Sequence, residues 1–217
     1  MNINDSAKTI VCYGDSNTWG SVPRGGEVQG RTRYPRSVRW TGVLQKLLGE
    51  DYEIINEGTS ARTFVVKEED KPERTGITHL RSILKTNAPV DLVIIALGTN
   101  DTKGRYELSA EMIASHLEQT IKLIKEEGIK NILVLCPLIP VLNSVGKFYE
   151  GFENSVEKIS KFPELFKKVA DDYNCSFLNL GDYITASNKD GLHFEPEAHA
   201  KLAEVLKTEV LKIFNSQ

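Results

Sequence analysis

Four short segments of the chain contain residue types that work together in acyl transfer. A serine hydroxyl needs a base to become a nucleophile, and the base needs a carboxylate to fix its tautomer. Taken together, the segments predict a reaction through a serine ester, although each alone would pass for an ordinary loop or helix cap. In chain order they are Gly14-Asp15-Ser16, Asn56-Glu57-Gly58, Gly98-Thr99-Asn100-Asp101 and Asp190-Gly191-Leu192-His193.

The predicted catalytic residues are Ser16 as nucleophile, His193 as base and Asp190 as the group that orients the base. A separation of three residues lets the carboxylate reach Nδ1 of the imidazole, which leaves Nε2 free for the serine proton. His199 with His193 and Asp190 would be a conceivable metal site, but the spacing fits no zinc pattern. We therefore expect neither a metal nor a cofactor.

An oxyanion needs hydrogen-bond donors aimed at the position where the negative charge develops. The candidates are the backbone N–H groups of Ser16 and Gly58 and the side-chain amide of Asn100. Glycine has no side chain to block a close approach, although Gly58 could equally be a turn residue and Asn100 a cap. Asn17 and Trp19 follow the serine and are candidates for the substrate pocket, with a core position as the alternative for the tryptophan.

Five apolar runs rich in β-branched residues predict the strands that carry these segments. The third run, 92–97, lacks polar alternation and suits a central parallel strand. Because sites in open parallel sheets form at the carboxyl ends of strands, the candidate residues should meet at one rim. We expect one domain, 1–217, with an α/β fold: a three-layer α/β/α sandwich around a five-stranded parallel sheet. The predicted strands are 9–13, 52–56, 91–97, 131–135 and 176–180.

Helical periodicity occupies the segments between the strands. It predicts helices over 38–48, from Ser109 to a stop at Gly128, over 163–172, and from near Pro196 onward. Two segments show no regular pattern, 21–37 and 137–155. Long irregular segments inside a compact domain are often functional.

The composition is that of an ordinary globular protein of 217 residues with a net charge of −3. We expect no nucleic-acid or membrane partner, because the charge is slightly negative and no apolar run nears the ~20 residues that span a bilayer. Three widely spaced cysteines and a polar N-terminus without a signal-peptide core predict a reduced, cytoplasmic protein. The sequence leaves open whether the chain forms a homo-oligomer.

A basic segment precedes the first long helix and contains Glu27 as its only acid. An anionic substrate, a subunit contact and a solvated loop would each explain it. The arginines are Arg24, Arg31, Arg33, Arg36 and Arg39.

The four segments resemble the conserved blocks of the SGNH, or GDSL-type, hydrolases. The serine, glycine, asparagine and histidine for which this family is named match Ser16, Gly58, Asn100 and His193. The family's triad acid matches Asp190. The resemblance covers residues 8 to about 214 and implies an SGNH/flavodoxin-like fold. Longer stretches are similar to the bacterial arylesterase/acyltransferase branch: Asp15-Ser16-Asn17-Thr18-Trp19-Gly20, Val38 to Leu44, Glu57 to Thr63 and Leu97 to Lys103.

The resemblance implies a serine esterase acting on small-molecule esters, with short acyl or acetyl groups, through an acyl-enzyme. Some members of that branch also transfer acyl groups to alcohols in water. The alternatives are a carbohydrate O-acetylesterase and a non-catalytic binding module of the same fold. Asn17 departs from the leucine that usually follows the serine in this family.

Overall fold

The computed structural model describes residues 4–24, 32–67 and 71–215. Its centre is a five-stranded, all-parallel sheet with the strand order β2-β1-β3-β4-β5. All five predicted strands are present, and the α/β class is confirmed. The strands are β1 (Lys8–Gly14), β2 (Tyr52–Gly58), β3 (Leu92–Ala96), β4 (Asn131–Cys136) and β5 (Ser176–Asn179).

Helices cover both faces of the sheet because alternate strand residues point to opposite sides. On one face, Val11 and Tyr13 of β1 belong to a buried cluster with α3, α4 and α6. On the other face, Ile10 and Cys12 pack with α2 and α7. The helices are α1 (Ser16–Trp19), α2 (Trp40–Leu48), α3 (Gly76–Thr86), α4 (Ala110–Glu126), α5 (Ser155–Ser160), α6 (Phe162–Asp172) and α7 (Pro196–Asn215).

The helix boundaries follow the capping signals with small shifts. Ser109 caps α4 by accepting a hydrogen bond from Met112 N, as its position predicts. Gly128, at a φ of 82°, follows the end of this helix. The helix predicted over 38–48 begins instead at Trp40, because Arg39 has an extended backbone. The irregular segment 137–155 leads directly into α5, a short helix that the sequence pattern did not predict.

The structure also shows the state of the cysteines and the length and hydropathy of the helices. The thiols of Cys12, Cys136 and Cys175 are all free, and the first two are buried. Among the helices that the structure describes, none is both long and apolar enough to cross a membrane.

Candidate active site

Ser16 lies at the start of α1, directly after β1. Asp15 caps this one-turn helix, because its Oδ1 accepts a hydrogen bond of 2.9 Å from Asn17 N. The turn from strand to helix requires Gly14, where a Cβ would lie 2.1 Å from the Thr18 hydroxyl oxygen. Local sequence therefore fixes the position of the serine hydroxyl at the rim of the sheet.

Asp190 and His193 lie in the loop between β5 and α7. Asp190 Oδ1 accepts hydrogen bonds from the backbone N–H groups of Leu192 and His193, at 3.0 and 2.9 Å. Gly191 has a φ of 73°, and a Cβ there would lie 1.9 Å from Val141 O. The Asp190 carboxylate therefore holds the loop closed. The packing against Val141 leaves no room for a side chain at Gly191.

The three predicted catalytic side chains form one hydrogen-bonded chain. His193 Nδ1 lies 2.7 Å from Asp190 Oδ2, and His193 Nε2 lies 3.0 Å from Ser16 Oγ. All three residues are at least nine-tenths buried. The Tyr149 ring packs edge-on against the imidazole at 5.6 Å between centroids. These side chains have the geometry that a nucleophile, a base and an orienting acid require.

The charge on Asp190 is stabilised despite its burial. Burial by itself raises the pKa of this carboxyl, but hydrogen bonds from the His193 ring and from the backbone N–H groups of His193 and Arg24 lower it. The net pKa lies below its ordinary value. Asp190 is therefore a carboxylate at neutral pH, the form that holds an imidazole with Nδ1 protonated.

Asn100 also lies in this site, at the first position of the short turn Asn100–Thr102 that follows β3. Its Nδ2 donates to Arg62 O at 3.1 Å and, less closely, to Asp15 Oδ2 at 3.4 Å. It lines the same cavity as Ser16 and His193. The amide is thus held in place by residues that follow two other strands.

Gly58 does not join this group, and the prediction of its role is corrected here. Its N–H donates to Asn56 Oδ1 at 3.1 Å. A Cβ at this position would lie 2.2 Å from Trp19 N, so the absent side chain serves the packing of β2 against α1. The catalytic cavity is lined instead by Ser60 and Ala61, further along the same turn.

Ala61 has a backbone φ of 65°, an unusual value for a residue other than glycine, asparagine or aspartate. Strained backbone of this kind clusters at functional sites. Sequence patterns do not predict this conformation, because alanine, unlike glycine, has no preference for positive φ. The motif identified the correct turn after β2 but not the residue that faces the cavity.

Asn17 and Trp19 border cavities next to the catalytic one, so their part in the substrate pocket stays a prediction. Asn17 Nδ2 lies 3.4 Å from Leu192 O, and the residue lines a separate cavity of about 30 Å³. Trp19 is half-buried, and the Arg33 guanidinium lies over its ring at 4.9 Å from the centroid. It borders a neighbouring groove together with Gly58.

Arg62 connects the turns that carry the site, and sequence reasoning did not single it out. Its buried guanidinium donates to the carbonyl oxygens of Gly14 and Glu57, at the ends of β1 and β2. It also donates to Thr59 Oγ1 at 2.8 Å and lies 4.2 Å from the Tyr13 ring centroid. No local motif marks a cation that acts across two strands.

The conceivable metal site is not formed by the side chains that suggested it. His193 and Asp190 are bonded to each other, whereas Nδ1 of the buried His199 accepts a hydrogen bond from Trp40 N at 3.3 Å. Within the described parts of the chain, no three His, Cys, Asp or Glu side chains are grouped so that they could hold a metal.

Comparison with known proteins agrees with this geometry. A model of the GDSL-like lipase/acylhydrolase family matches residues 12–201. The chain belongs to this family. The predicted enzyme class, a carboxylic ester hydrolase, is thereby confirmed. A search of the curated proteins found no match.

Several solved structures resemble this hydrolase over nearly its whole length. The aryl esterase of M. smegmatis is 33% identical with a TM-score of 0.89, covering 95% of this chain and 100% of that one. Est24, a carbohydrate acetylesterase from Sinorhizobium meliloti, is 31% identical with a TM-score of 0.86 and coverages of 94% and 99%. A putative arylesterase from Agrobacterium tumefaciens is 30% identical with a TM-score of 0.85 and coverages of 95% and 99%.

The catalytic cavity of the hydrolase has a volume of about 220 Å³. Tyr149, Phe152 and Leu192 contribute apolar surface to it. Five of the described lining residues are cationic. We call its cationic residues the cationic rim: Arg24, Lys71, Arg74, Lys103 and Arg105.

The arginine-rich segment of the sequence is divided by the fold. Arg24 belongs to the cationic rim, whereas Arg33, Arg36 and Arg39 border a different cleft beside β2. Arg31 and Glu27 lie outside the described residues. The predicted arginine group is therefore not a single feature, and the cations near the catalytic serine come mostly from elsewhere in the chain.

Proposed function

We propose that the hydrolase cleaves small esters with short acyl groups through an acyl-enzyme formed on Ser16. The observation that carries this proposal is the unbroken hydrogen-bonded chain from Asp190 through His193 to Ser16 Oγ. Serine becomes nucleophilic when an oriented imidazole can take its proton, and these distances allow that transfer without rearrangement.

In the proposed mechanism, His193 Nε2 takes the hydroxyl proton while Ser16 Oγ attacks the ester carbonyl carbon. Asp190 stabilises the imidazolium that results. The imidazolium then gives its proton to the departing alcohol. A water molecule, deprotonated by the same imidazole, attacks the acyl-enzyme and releases the acid. No metal or cofactor is needed for any of these steps.

The oxyanion donors in this proposal are the backbone N–H groups of Ser16 and Ala61 and the side-chain amide of Asn100. The side-chain amide of Asn100 donates a hydrogen bond to Arg62 O at 3.1 Å. The second contact of this amide, with Asp15 Oδ2 at 3.4 Å, is too long to be a strong hydrogen bond. The weaker contact is the one that an oxyanion would replace. Ala61 takes the role first predicted for Gly58, because it lines the cavity and Gly58 does not.

The replacement Ser16→Ala tests the assignment directly. We expect it to lower kcat for p-nitrophenyl acetate by about 10⁴-fold or more, judged from nucleophile deletions in other serine hydrolases. A fluorophosphonate probe should label the unmodified chain and not the variant, and circular dichroism should show the same fold in both. Activity retained in the folded variant would rule out Ser16 as the nucleophile.

The size of the cavity and the solved relatives support short acyl groups. About 220 Å³ leaves little room for a long acyl chain. The related structures include an aryl esterase and a carbohydrate acetylesterase, so aryl acetates and acetylated sugars are the substrates to compare. A p-nitrophenyl ester series from acetyl to octanoyl should show its optimum at the short end, and a medium-chain optimum would contradict this proposal.

Acyl transfer to an alcohol follows the same first step and differs only in which nucleophile reaches the acyl-enzyme. It would be detected as a new ester when an alcohol is added to the assay.

A cytoplasmic location stays a prediction, which the free thiols of Cys12, Cys136 and Cys175 support. A small-molecule partner and the absence of nucleic-acid and membrane partners are proposals of the same kind.

A further inference from the structure

Two hydrogen bonds, side by side, join the turn that carries Asn100 to the turn that follows β2. Asn100 Nδ2 donates to Arg62 O at 3.1 Å, and the N–H of Phe64 donates to Asp101 Oδ1 at 3.0 Å. Phe64 N also lies 3.3 Å from Asp101 Oδ2. Neighbouring residues of one turn thus bind alternate residues of the other, and this arrangement sets the spacing between the two turns.

The two bonds differ in what the reaction asks of them. The Asn100 amide is an oxyanion donor in the proposed mechanism, so its hydrogen bonds must change as negative charge develops on the substrate. Asp101 is fully buried and takes part in none of the bond-making steps. Its bond with Phe64 N therefore keeps the turns in place while the neighbouring amide changes partner.

Both ends of this link are anchored. Phe64 is fully buried, and its ring meets that of Phe166 in α6 edge-on, at 6.1 Å between centroids. On the opposite side of the Asn100 turn, Thr102 Oγ1 lies 2.7 Å from Ser155 Oγ, at the start of α5. The turn is thus fixed to α5 on one side, and Asp101 fixes it to the Ala61 turn on the other.

The burial of Asp101 is costly for a residue outside the catalytic chain. Burial raises the pKa of this carboxyl, although the hydrogen bond from Phe64 N acts in the opposite direction. His116 Nδ1 of α4 lies 4.0 Å from Asp101 Oδ1, beyond hydrogen-bond distance. An apolar side chain would fill a pure packing position without the cost of burying a charge. The carboxylate therefore points to a requirement for exact placement of the turn.

We propose that Asp101 is a positioning residue, whose hydrogen bond with Phe64 N holds the Asn100 amide at its working distance from the Ala61 N–H. This inference rests on the proposed function. Asp101 directly follows Asn100, and Phe64 follows Ala61 by three residues, so one side chain spans the turns of both donors. A misplacement of about 1 Å in such a group can cost about 10²-fold in rate.

The replacement Asp101→Ala removes the acceptor and tests this role. We expect kcat for p-nitrophenyl acetate, per folded molecule, to fall at least about tenfold, while KM changes by less than about threefold. Asp101→Asn keeps an oxygen that can accept from Phe64 N and should retain kcat within about threefold. Should the alanine variant not fold, Asp101→Ser, whose side chain is polar but shorter, takes its place. An unchanged kcat in the truncated variant, or equal losses with asparagine and alanine, would overturn the proposal.

A double-mutant cycle with Asn100→Ala shows whether Asp101 acts through the amide. In a chain that already lacks this amide, the position of its turn no longer matters to the oxyanion. Asp101→Ala should then lower kcat by less than about threefold. Losses that multiply in the double variant would mean that Asp101 acts independently of Asn100, and the proposal would be refuted.

Leu206→Val is the control for lost stability. Leu206 is fully buried in α7, on the opposite face of the sheet from Phe64. We expect this replacement to lower the urea midpoint and to leave kcat per folded molecule unchanged. If the control lowers kcat as far as Asp101→Ala does, the loss at Asp101 reflects stability and the positioning role is excluded.

The outcomes separate this inference from the proposed function. Ser16-dependent hydrolysis that Asp101→Ala leaves intact refutes the positioning role alone. Hydrolysis that persists in the folded Ser16→Ala variant refutes the proposed mechanism, and the role of Asp101 with it.

Discussion

Asp190 and His193 lie three residues apart in one loop, whereas Ser16, Ala61 and Asn100 reach the cavity from the ends of three different strands. The loop closes on itself, because Asp190 accepts hydrogen bonds from Leu192 N and His193 N as well as from the imidazole. The proposed oxyanion side, formed by Ser16, Ala61 and Asn100, has no such local closure. Although Asp15 caps the helix that begins at Ser16, Ala61 and Asn100 are brought to the serine by contacts between turns that are distant in sequence.

Arg62 shows how the oxyanion side is held. Its side chain binds carbonyl groups at the ends of β1 and β2, and its own carbonyl oxygen accepts a hydrogen bond from the Asn100 amide. One buried residue thus connects the turns after three strands. The acid and base are fixed by local sequence, while the oxyanion side depends on the register of the sheet and on the packing around this arginine.

The largest effect is expected on the local side, from Asp190→Asn. Asparagine cannot stabilise the imidazolium or hold the required tautomer, so kcat should fall by about 10⁴-fold, as in other serine hydrolases. Steady-state kinetics with p-nitrophenyl acetate measure this. A fall below tenfold would mean that the carboxylate closes the loop without supporting the base.

On the oxyanion side, Asn100→Ala should lower kcat by about 10²–10³-fold. The amide acts on the charge that develops in the transition state, so KM should change much less than kcat. A rise in KM at constant kcat would show that Asn100 binds the ground state and would remove it from the oxyanion donors.

Gly58→Ala sharpens the comparison, because the structure gives this glycine a packing role. An added Cβ would lie 2.2 Å from Trp19 N and 2.6 Å from Thr18 C, so we expect a loss of about 1–3 kcal/mol in unfolding free energy. The kcat of the folded fraction should change less than tenfold.

Gly181→Ala is the matched control for this replacement, since its Cβ would meet no atom closer than 3.6 Å. Urea denaturation of both variants gives the free energies. A stable Gly58→Ala chain that has lost its activity would show that this position shapes the active site and does not serve packing alone.

An effect of similar size is expected at Asp15, the cap of α1. Burial raises the pKa of the Asp15 carboxyl to about 6, although the hydrogen bond from Asn17 N acts in the opposite direction. The difference from the ordinary value of 3.8 corresponds to roughly 3 kcal/mol. Because the folded pKa is raised, this group stabilises the fold below about pH 4, and that contribution is lost as pH rises through about 6.

Asp15→Asn should therefore be more stable than the unmodified chain at pH 7.5, by about 1–3 kcal/mol, and show no gain at pH 4. Chemical denaturation at the two pH values measures the difference. Equal stability at pH 7.5 would indicate that hydrogen bonds to the carboxylate offset the cost of burying its charge.

The comparison also explains which sequence predictions were accurate. The strands were recognisable as runs rich in apolar and β-branched residues, of which β3 is unbroken. The starts of α4 and α7 were recognisable because Ser109 caps its own helix and Pro196 is the first residue of its own. Proximity in sequence was a weaker guide. Trp19 follows the nucleophile by three residues, yet its ring packs under Arg33 and borders a neighbouring groove.

The arginine-rich segment illustrates the same limit. Five arginines close in sequence left an anionic substrate, a subunit contact and a solvated loop open as explanations. The fold brings Arg24 to the catalytic cavity and Arg33, Arg36 and Arg39 to another cleft. Lys71, Arg74, Lys103 and Arg105 join Arg24 without any shared motif. Charge patterns along a chain do not give charge patterns in space when the residues lie in irregular loops.

The sequence by itself determined the parallel α/β architecture, the family, and the set of Ser16, His193 and Asp190 that the fold brings into hydrogen-bond contact. These follow from periodicity and short-range spacing, which act through local backbone geometry. Only the tertiary structure decided that Ala61 rather than Gly58 faces the cavity, that Arg62 joins three turns, and that five distant cations surround the serine. Those features arise from the register and packing of separate strands, and no local rule encodes them.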